Sequence, residues 1–485
     1  MTDPWPFWVA GQPQHSSRSF SVCSPWDGRH VATVAEAAPD DVEWAVAAAA
    51  EAARPLAALP AHARAAALAH VSAGITARAD ELADLITAEN GKPIMWAHSE
   101  VTRAASTFRW AAEEARRWSG ALQRLDTDPG SEGRLAVVRR FPRGPVLGIS
   151  PFNFPLNLVA HKVAPALAVG APIVLKPAPK TPLSALVLAE LLAGTDLPTG
   201  SWSVLTVPDA AMPELVADPR LPVVLFTGSG PVGWQIRAAV PGKHVTLELG
   251  GNAAVLVAAD WCSPTDLRWA AERIARFGTY QAGQSCVAVQ RVYAEASVYD
   301  ALLHEIVAAV ARLGTGAPQD PHTVVGPLIN AEAADRVQAW VAEAVAAGAK
   351  IRVGGGRQGT TLVPTVLTGV PSDVRLSREE VFGPVLLVEP VADLDEGLAR
   401  IDDSAYGLQA GVFTPDHGFS GACRIAGRRR DHRRRAVLPR RSDAVRRYKG
   451  LRGGTRGPHR GDDGPHRGAG PGAVRGLPLT RVRRK

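Results

Sequence analysis

Of the four cysteines in the chain, Cys286 has the setting in which a thiol could work. It lies in FGTYQAGQSCVAVQR (277–291), where Gly283, Gln284 and other small residues permit close approach of a substrate. By itself such a cysteine reads equally as a small buried hydrophobe. PFNFP (151–155) brackets Asn153 with prolines just after an apolar run. That is a rigid loop, or a pre-fixed amide donor of the kind that stabilises a developing oxyanion. FTGSGPVG (226–233) carries G-x-G-x-x-G between a strand-like and a helix-like segment, and Glu248 follows twenty residues after Gly228. This spacing matches the dinucleotide fingerprint, in which phosphate sits on the free N–H groups of a helix N-terminus and an acidic residue holds a ribose. The alternative is a set of glycines serving a tight turn, and Glu248 also stands in its own Gly-flanked motif, ELGG (248–251). No metal-ligand spacing is read.

The elements that must hold these residues follow from periodicity. After a Pro-rich entry, residues 40–54, 60–89 and 94–118 read as helices, with apolar positions three and four apart and a break at Gly91 and Pro93. DTDPGSEG (126–133) between two short runs predicts a projecting β-hairpin over 120–143. From 145 to 258, short β-branched runs alternate with helical stretches such as 181–194 and 231–240. The strand-like runs are 145–150, 171–177, 202–207, 222–228 and a long one over 244–257. Repeated β-α-β units predict a mainly parallel, doubly wound sheet. A second α/β region follows to about residue 415, with helices near 263–277, 297–313 and 331–347.

Composition bounds the classes. A chain of 485 residues with 46% hydrophobic residues can bury more than one core, and four cysteines exclude a disulfide scaffold and suggest a reducing compartment. The clearest uncharged apolar run, 163–175, is too short to cross a bilayer, and the start has no basic segment before an apolar stretch. A cytoplasmic protein without membrane association is expected. The net charge of +7 is an average of two unlike parts. Residues 421–485 hold 21 Lys and Arg against 4 Asp, a net of +17, and the rest of the chain has a net of −10. The basic end would bind nucleic acid nonspecifically through phosphates. It offers only Tyr448 for base stacking, so no specific nucleic-acid partner is expected.

In order along the chain, PFNFP (151–155), LKPAPKTP (175–182), FTGSGPVG (226–233), ELGG (248–251), GQSC (283–286) and EEVFGPV (379–385) closely resemble the aldehyde dehydrogenase superfamily. The resemblance spans some 390 residues, as far as GLQAGVF (407–413). It implies an α/β fold: a Rossmann-type cofactor domain (1–119 and 144–249), an α/β catalytic domain (250–415), a bridging β-hairpin (120–143) used in oligomerisation, and a separate basic tail (416–485). It implies oxidation of an aldehyde to the acid with NAD or NADP. Cys286 would be the nucleophile that forms a thiohemiacetal and then a thioester, a role that needs an activating environment for the thiol. Asn153, with the backbone N–H of Cys286, would form the oxyanion hole. Glu248 would be the general base for water, not a ribose ligand. Lys162 would stand in a proton relay, with a simple surface lysine as the alternative. Lys176 would bind the adenosine ribose, Gly228, Ser229 and Val232 the adenine and pyrophosphate, and Glu380 and Phe382 the nicotinamide ribose.

Two departures matter. NAD-preferring relatives often carry a glutamate three residues after the ribose lysine, where it repels a 2′-phosphate; here Pro179 stands there, followed by Lys180. NADP should therefore be tolerated. Beyond about Thr414 the resemblance stops, and RYKGLRGGTRG (447–457) looks like a distorted echo of the family's glycine-rich closing loop. A frameshift near 414–420 explains this, and a genuine basic tail is the alternative. With intact closing elements a homodimer or homotetramer is expected; without them the chain would be an inactive remnant. No arginine is assignable to an acidic substrate, and semialdehydes, lactaldehyde-like compounds and aliphatic aldehydes all remain open.

Overall fold

The computed structural model describes residues 3–416, and readings of the sequence beyond that point lie outside the described residues. The chain opens with β1 (Phe7–Val9), β2 (Gln12–Gln14) and the hairpin β3 (Ser19–Cys23) and β4 (His30–Ala35). Four helices follow: α1 (Pro39–Ala58), α2 (Ala61–Ala77), α3 (Ala79–Asn90) and α4 (Ile94–Arg117). Pro39 starts α1, and the Asp41 carboxylate accepts the Ala38 N–H at 2.8 Å, satisfying a donor left free at the helix end. A second hairpin, β5 (Ala121–Arg124) with β6 (Leu135–Val138), precedes the units β7 (Val146–Ile149), α5 (Asn157–Val169), β8 (Ile173–Lys176), α6 (Leu183–Ala193) and β9 (Trp202–Val204). Helix α6, LSALVLAELLA, is apolar almost all round and correspondingly buried. Then come α7 (Met212–Ala217), β10 (Val223–Thr227), α8 (Gly230–Ala239) and β11 (His244–Glu248).

The first sheet has the order β11-β10-β7-β8-β9-β1-β2, parallel from β11 to β9 and antiparallel beyond. The chain winds outward from β7 through β8 to β9, then returns to the other side of β7 as β10. In an open α/β sheet that reversal leaves a crevice outside the carboxyl ends of the two central strands, where ligands bind. The PFNFP loop follows β7 and the GSG loop follows β10, so both motifs open into this crevice.

The second sheet is formed by β12 (Ala253–Val257), β13 (Val289–Glu295), β14 (Lys350–Val353), β17 (Thr365–Thr368), β18 (Val385–Val391) and β19 (Ala410–Phe413). A two-stranded pair, β15 (Arg357–Gln358) and β16 (Thr361–Leu362), lies between β14 and β17 in the chain. Helices α9 (Pro264–Thr279), α10 (Ala296–Ala311), α11 (Ala331–Ala346), α12 (Arg375–Arg378) and α13 (Leu394–Asp402) complete the region. The sheet order is β14-β17-β18-β13-β12-β19, all parallel except β14. Val292, Val366, Leu386 and Val388 pack there with Ile274 and Leu302 of the covering helices. The ELGG, GQSC and EEVFG motifs all precede strands of this sheet, so its amino edge carries them.

Three sequence expectations need correction. The helix read over 60–89 is two helices, broken at Arg78 (φ −104°, ψ 29°), whose guanidinium bridges Glu81 and Glu190. No proline or glycine marks that break, so periodicity ran across it. The long run 244–257 is two strands of different sheets, with Gly250 and Gly251 in the crossing between them. The Pro-rich entry contains four short strands, of which β1 pairs antiparallel with β9 and β2 antiparallel with β1 to extend the first sheet.

Candidate active site

Asn153 and the segment before Cys286 are joined directly. The buried Asn153 side chain donates from Nδ2 to the backbone oxygen of Gln284 at 2.9 Å, two residues before the thiol. Gln284 is held in turn: its Oε1 accepts the Ile329 N–H at 2.9 Å, and its Nε2 points to the Pro327 carbonyl at 3.3 Å. Cys286 itself is half-buried. The turn leading to it is strained, since Gln281 (φ +56°), Ala282 (φ +52°) and Gly283 (φ +72°) are three successive left-handed residues. A non-glycine residue in that region costs of order 1 kcal/mol or more, and such outliers persist where the surroundings over-determine them. Here Gln281 is buried and its Nε2 donates to Asn90 Oδ1 at 2.5 Å.

Glu248 ends β11, opposite Thr227 in the parallel register, and its backbone oxygen accepts the Gly228 N–H at 3.1 Å. Three residues on, a Cβ at Gly251 would collide with the Cys286 carbonyl oxygen, so glycine is required for the thiol loop to lie against ELGG. Lys162, on α5, is buried and donates to Thr227 Oγ1 at 2.5 Å. The surface-lysine alternative is thereby excluded. Glu380 reaches the same loop: its Oε1 accepts the Gly251 N–H at 2.9 Å, and a Cβ at Gly250 would overlap its carboxylate. Burial pushes the Glu380 carboxyl up to about 7, against the opposing pull of the Gly251 N–H and Arg336. Phe382, left-handed at φ +47°, sets its ring edge-on against Phe152 of the PFNFP loop, with centroids 6.0 Å apart.

The remaining expected residues lie along the carboxyl edge of the first sheet. Lys176 ends β8, is buried, and donates to the carboxylate of the exposed Asp209. Pro179 and Lys180 form the turn that follows, Pro179 half-buried and Lys180 exposed. Ser229 is the N-cap of α8 and its side chain makes no capping hydrogen bond, so the first N–H groups of this helix keep their capacity for an anion. A Cβ at Gly230 would meet nothing within 4 Å, which leaves open space at the backbone. Val232 and Trp234 are exposed on the same helix. An uncapped helix end, an open glycine turn and an exposed apolar surface fit a dinucleotide. Lys176, Gly228, Ser229 and Val232 would hold its adenosine and phosphates, and Glu380 and Phe382 its nicotinamide end.

Several functional neighbours carried no recognised sequence signal. Asp209 supplies a carboxylate at Lys176, so the loss of a glutamate at Pro179 does not remove all negative charge from this edge. Arg103 on α4 lies over the Phe154 ring, 5.7 Å from its centroid, and its charge acts on the Tyr280 phenol. Tyr280 is half-buried, and burial raises its phenol against the opposing pull of Arg103. Arg103 is thus an exposed arginine beside the PFNFP loop and Tyr280. Asn90, Lys92 and Glu100 hold the PFNFP loop. The only hint for Asn90 and Lys92 was that they flank Gly91, inside what reads as a helical break; Glu100 lies within α4.

The match extends to whole proteins. The model of the aldehyde dehydrogenase family matches residues 8–424. The chain is 39% identical over 414 residues to the 3-sulfolactaldehyde dehydrogenase of Priestia megaterium, covering 85% of this chain and 86% of that protein. Among solved structures, aldehyde dehydrogenase 21 from Physcomitrella patens, in complex with the reaction product succinate, superposes with a TM-score of 0.86 at 40% identity over 90% of both chains. The NADP-dependent glyceraldehyde-3-phosphate dehydrogenase of Bacillus halodurans, complexed with NADP, superposes with a TM-score of 0.84 at 32% identity, covering 90% of this chain and 91% of that one. The chain belongs to the aldehyde dehydrogenase family. Its reaction is the NAD(P)-dependent oxidation of an aldehyde to the carboxylic acid. No helix among the described residues is long and apolar enough to cross a membrane.

Proposed function

We propose that Cys286 is the nucleophile of this oxidation and that the substrate is an aldehyde bearing an anionic group a few atoms from the carbonyl. The Cys286 sulfur adds to the carbonyl carbon, and the oxygen takes up the negative charge as the thiohemiacetal forms. Asn153 carries that charge, because its amide is pinned beside the Cys286 loop before substrate arrives. This fixed amide is the observation that carries the reading. When bound, the nicotinamide dinucleotide supplies the hydride acceptor. The thioester left on Cys286 is opened by water whose proton Glu248 accepts; the carbon–sulfur bond breaks, and the acid leaves. Lys162, held by Thr227 beside the strand bearing Glu248, takes part in moving that proton onward.

The anionic group is suggested by Arg103, an exposed cation beside Phe154 of the PFNFP loop and Tyr280. A guanidinium offers a charge-assisted, two-pronged partner to a carboxylate or sulfonate. The relatives named for sulfolactaldehyde and for the product succinate point the same way. Arg103→Leu should raise KM for a four-carbon ω-carboxylate aldehyde by about tenfold to a hundredfold, roughly 1.4–2.7 kcal/mol. KM for butanal should change less than twofold. Equal losses on both aldehydes would reject the anionic subsite. The cytoplasm suits the three cysteines among the described residues, all free thiols. The β5–β6 hairpin exposes Leu122, Leu135 and Val137, and we assign it to contact between subunits of a homodimer or homotetramer.

A further inference from the structure

The Asn153 amide is steadied by Gln284 on one side; its backbone is steadied from another direction by groups that take no part in the chemistry above. Lys92 is completely buried, one residue beyond Gly91 at the end of α3. Its ammonium donates to the backbone oxygen of Asn153 at 2.9 Å, lies 4.1 Å over the Phe154 ring, and is paired with the buried Glu100 of α4. The other Glu100 oxygen accepts the N–H groups of Leu156 and Asn157, both at 3.0 Å, at the start of α5. One ion pair therefore holds residues 153–157 at both ends, with the cation on the loop's carbonyl and the anion on the helix's free N–H groups. The same segment reaches the thiol side as well. Asn90 Nδ2 donates to the Phe152 oxygen at 2.7 Å, and Asn90 Oδ1 accepts from Gln281 in the strained turn before Cys286. A buried ion pair is seldom a cheap source of stability, and well-packed apolar residues often do as well. What apolar residues cannot do is grip a carbonyl and two N–H groups in fixed directions.

We propose that the Lys92–Glu100 pair is a positioning device for the oxyanion donor, setting the Asn153 backbone so that its side-chain amide faces the reacting carbonyl. The inference rests on the reading of Asn153 given above. Neither residue touches substrate, so both act through Asn153.

The test is a kinetic cycle on the full-length chain, with NAD and an unbranched aliphatic aldehyde. Lys92→Met and Glu100→Gln are combined, so that no single buried charge is left without its partner. Asn153→Ala is made alone and together with that pair. In the wild-type background the pair variant should lose about tenfold to a hundredfold in kcat, with KM for aldehyde and Kd for NAD within about twofold. In the Asn153→Ala background the same pair should cost less than about twofold, because the group it acts through is gone. An equal loss in both backgrounds, or no loss in either, overturns the inference while leaving Asn153 as the donor. Full turnover by Asn153→Ala removes the donor reading and the inference with it. Unchanged NAD binding certifies that the pair variant is folded. Should it not be, Glu100→Gln alone, which keeps shape and one carbonyl acceptor, should show the same dependence on Asn153 at about threefold.

Discussion

The region around Asn153 and Cys286 and the carboxyl edge of the first sheet do their work with opposite constructions. Asn153, Gln284, Gln281, Lys92 and Glu100 are buried, and each polar end named above has a protein partner. Ser229, Val232 and Lys180 are exposed, α8 has no side-chain cap, and Gly230 borders open space. The contrast follows from what each region must do. Charge that exists only fleetingly is stabilised by dipoles that are already in place, since reorienting them during the reaction would add to the barrier. In the role proposed for the other edge, a dinucleotide must come and go each turnover, and the uncapped start of α8 leaves N–H donors for it. Glu380 lies beside the first region: its carboxylate is seated on Gly250 and Gly251, against which the Cys286 carbonyl also rests.

The sharpest way to break this division is Cys286→Ser. Aldehyde-dependent cofactor reduction should fall by at least about a thousandfold, while NAD and NADP affinities measured by fluorescence titration stay within twofold. A comparable loss of dinucleotide affinity would show that the two regions are not separately built. Next in size is the charge balance at Lys176. Wild-type affinities for NAD and NADP should lie within about tenfold, roughly 1.4 kcal/mol. Asp209→Asn should move the ratio toward NADP by about threefold, a modest effect because that carboxylate is exposed and screened. An unmoved ratio would place Asp209 away from the 2′ position.

A third prediction concerns stability and pH. Burial raises the folded carboxyl of Glu380 from 4.5 to about 7, so the folded state holds this proton more tightly than the unfolded state. Stability carried by the neutral form is therefore present below about pH 4.5 and declines as pH rises toward 7. Glu380→Gln removes that decline. Its stability relative to the wild type, from urea unfolding without cofactor, should rise between pH 5 and 7.5 by at most about 3 kcal/mol. A pH-independent difference would mean that Glu380 is solvated in the folded protein.

Most of the architecture was legible because it is written in local patterns. The alternating strand and helix runs from 145 to 258 announce a wound parallel sheet, and six ordered motifs name its family. What escaped was tertiary. The 244–257 run is uniformly strand-like, and only the destination of each half distinguishes β11 from β12. Lys162 looks like any lysine after a histidine until packing shows it buried against Thr227. Arg103 and Asp209 meet their partners across 177 and 33 residues of chain respectively, separations that no short motif encodes. Lys92 is a charged residue in a helical break, where solvent exposure is the ordinary expectation.

The four residues 249–252, between β11 and β12, set a limit on how the crevice can widen. From Glu248 to Ala253 there are five Cα steps, each of at most roughly 3.5 Å even when stretched. At that point the two sheet edges are leashed and cannot part by more than this length of chain. The leash includes the glycine pair against which the Cys286 carbonyl and the Glu380 carboxylate are seated. The covalent limit on separation is therefore tightest beside the thiol loop, where Gly251 meets the Cys286 carbonyl.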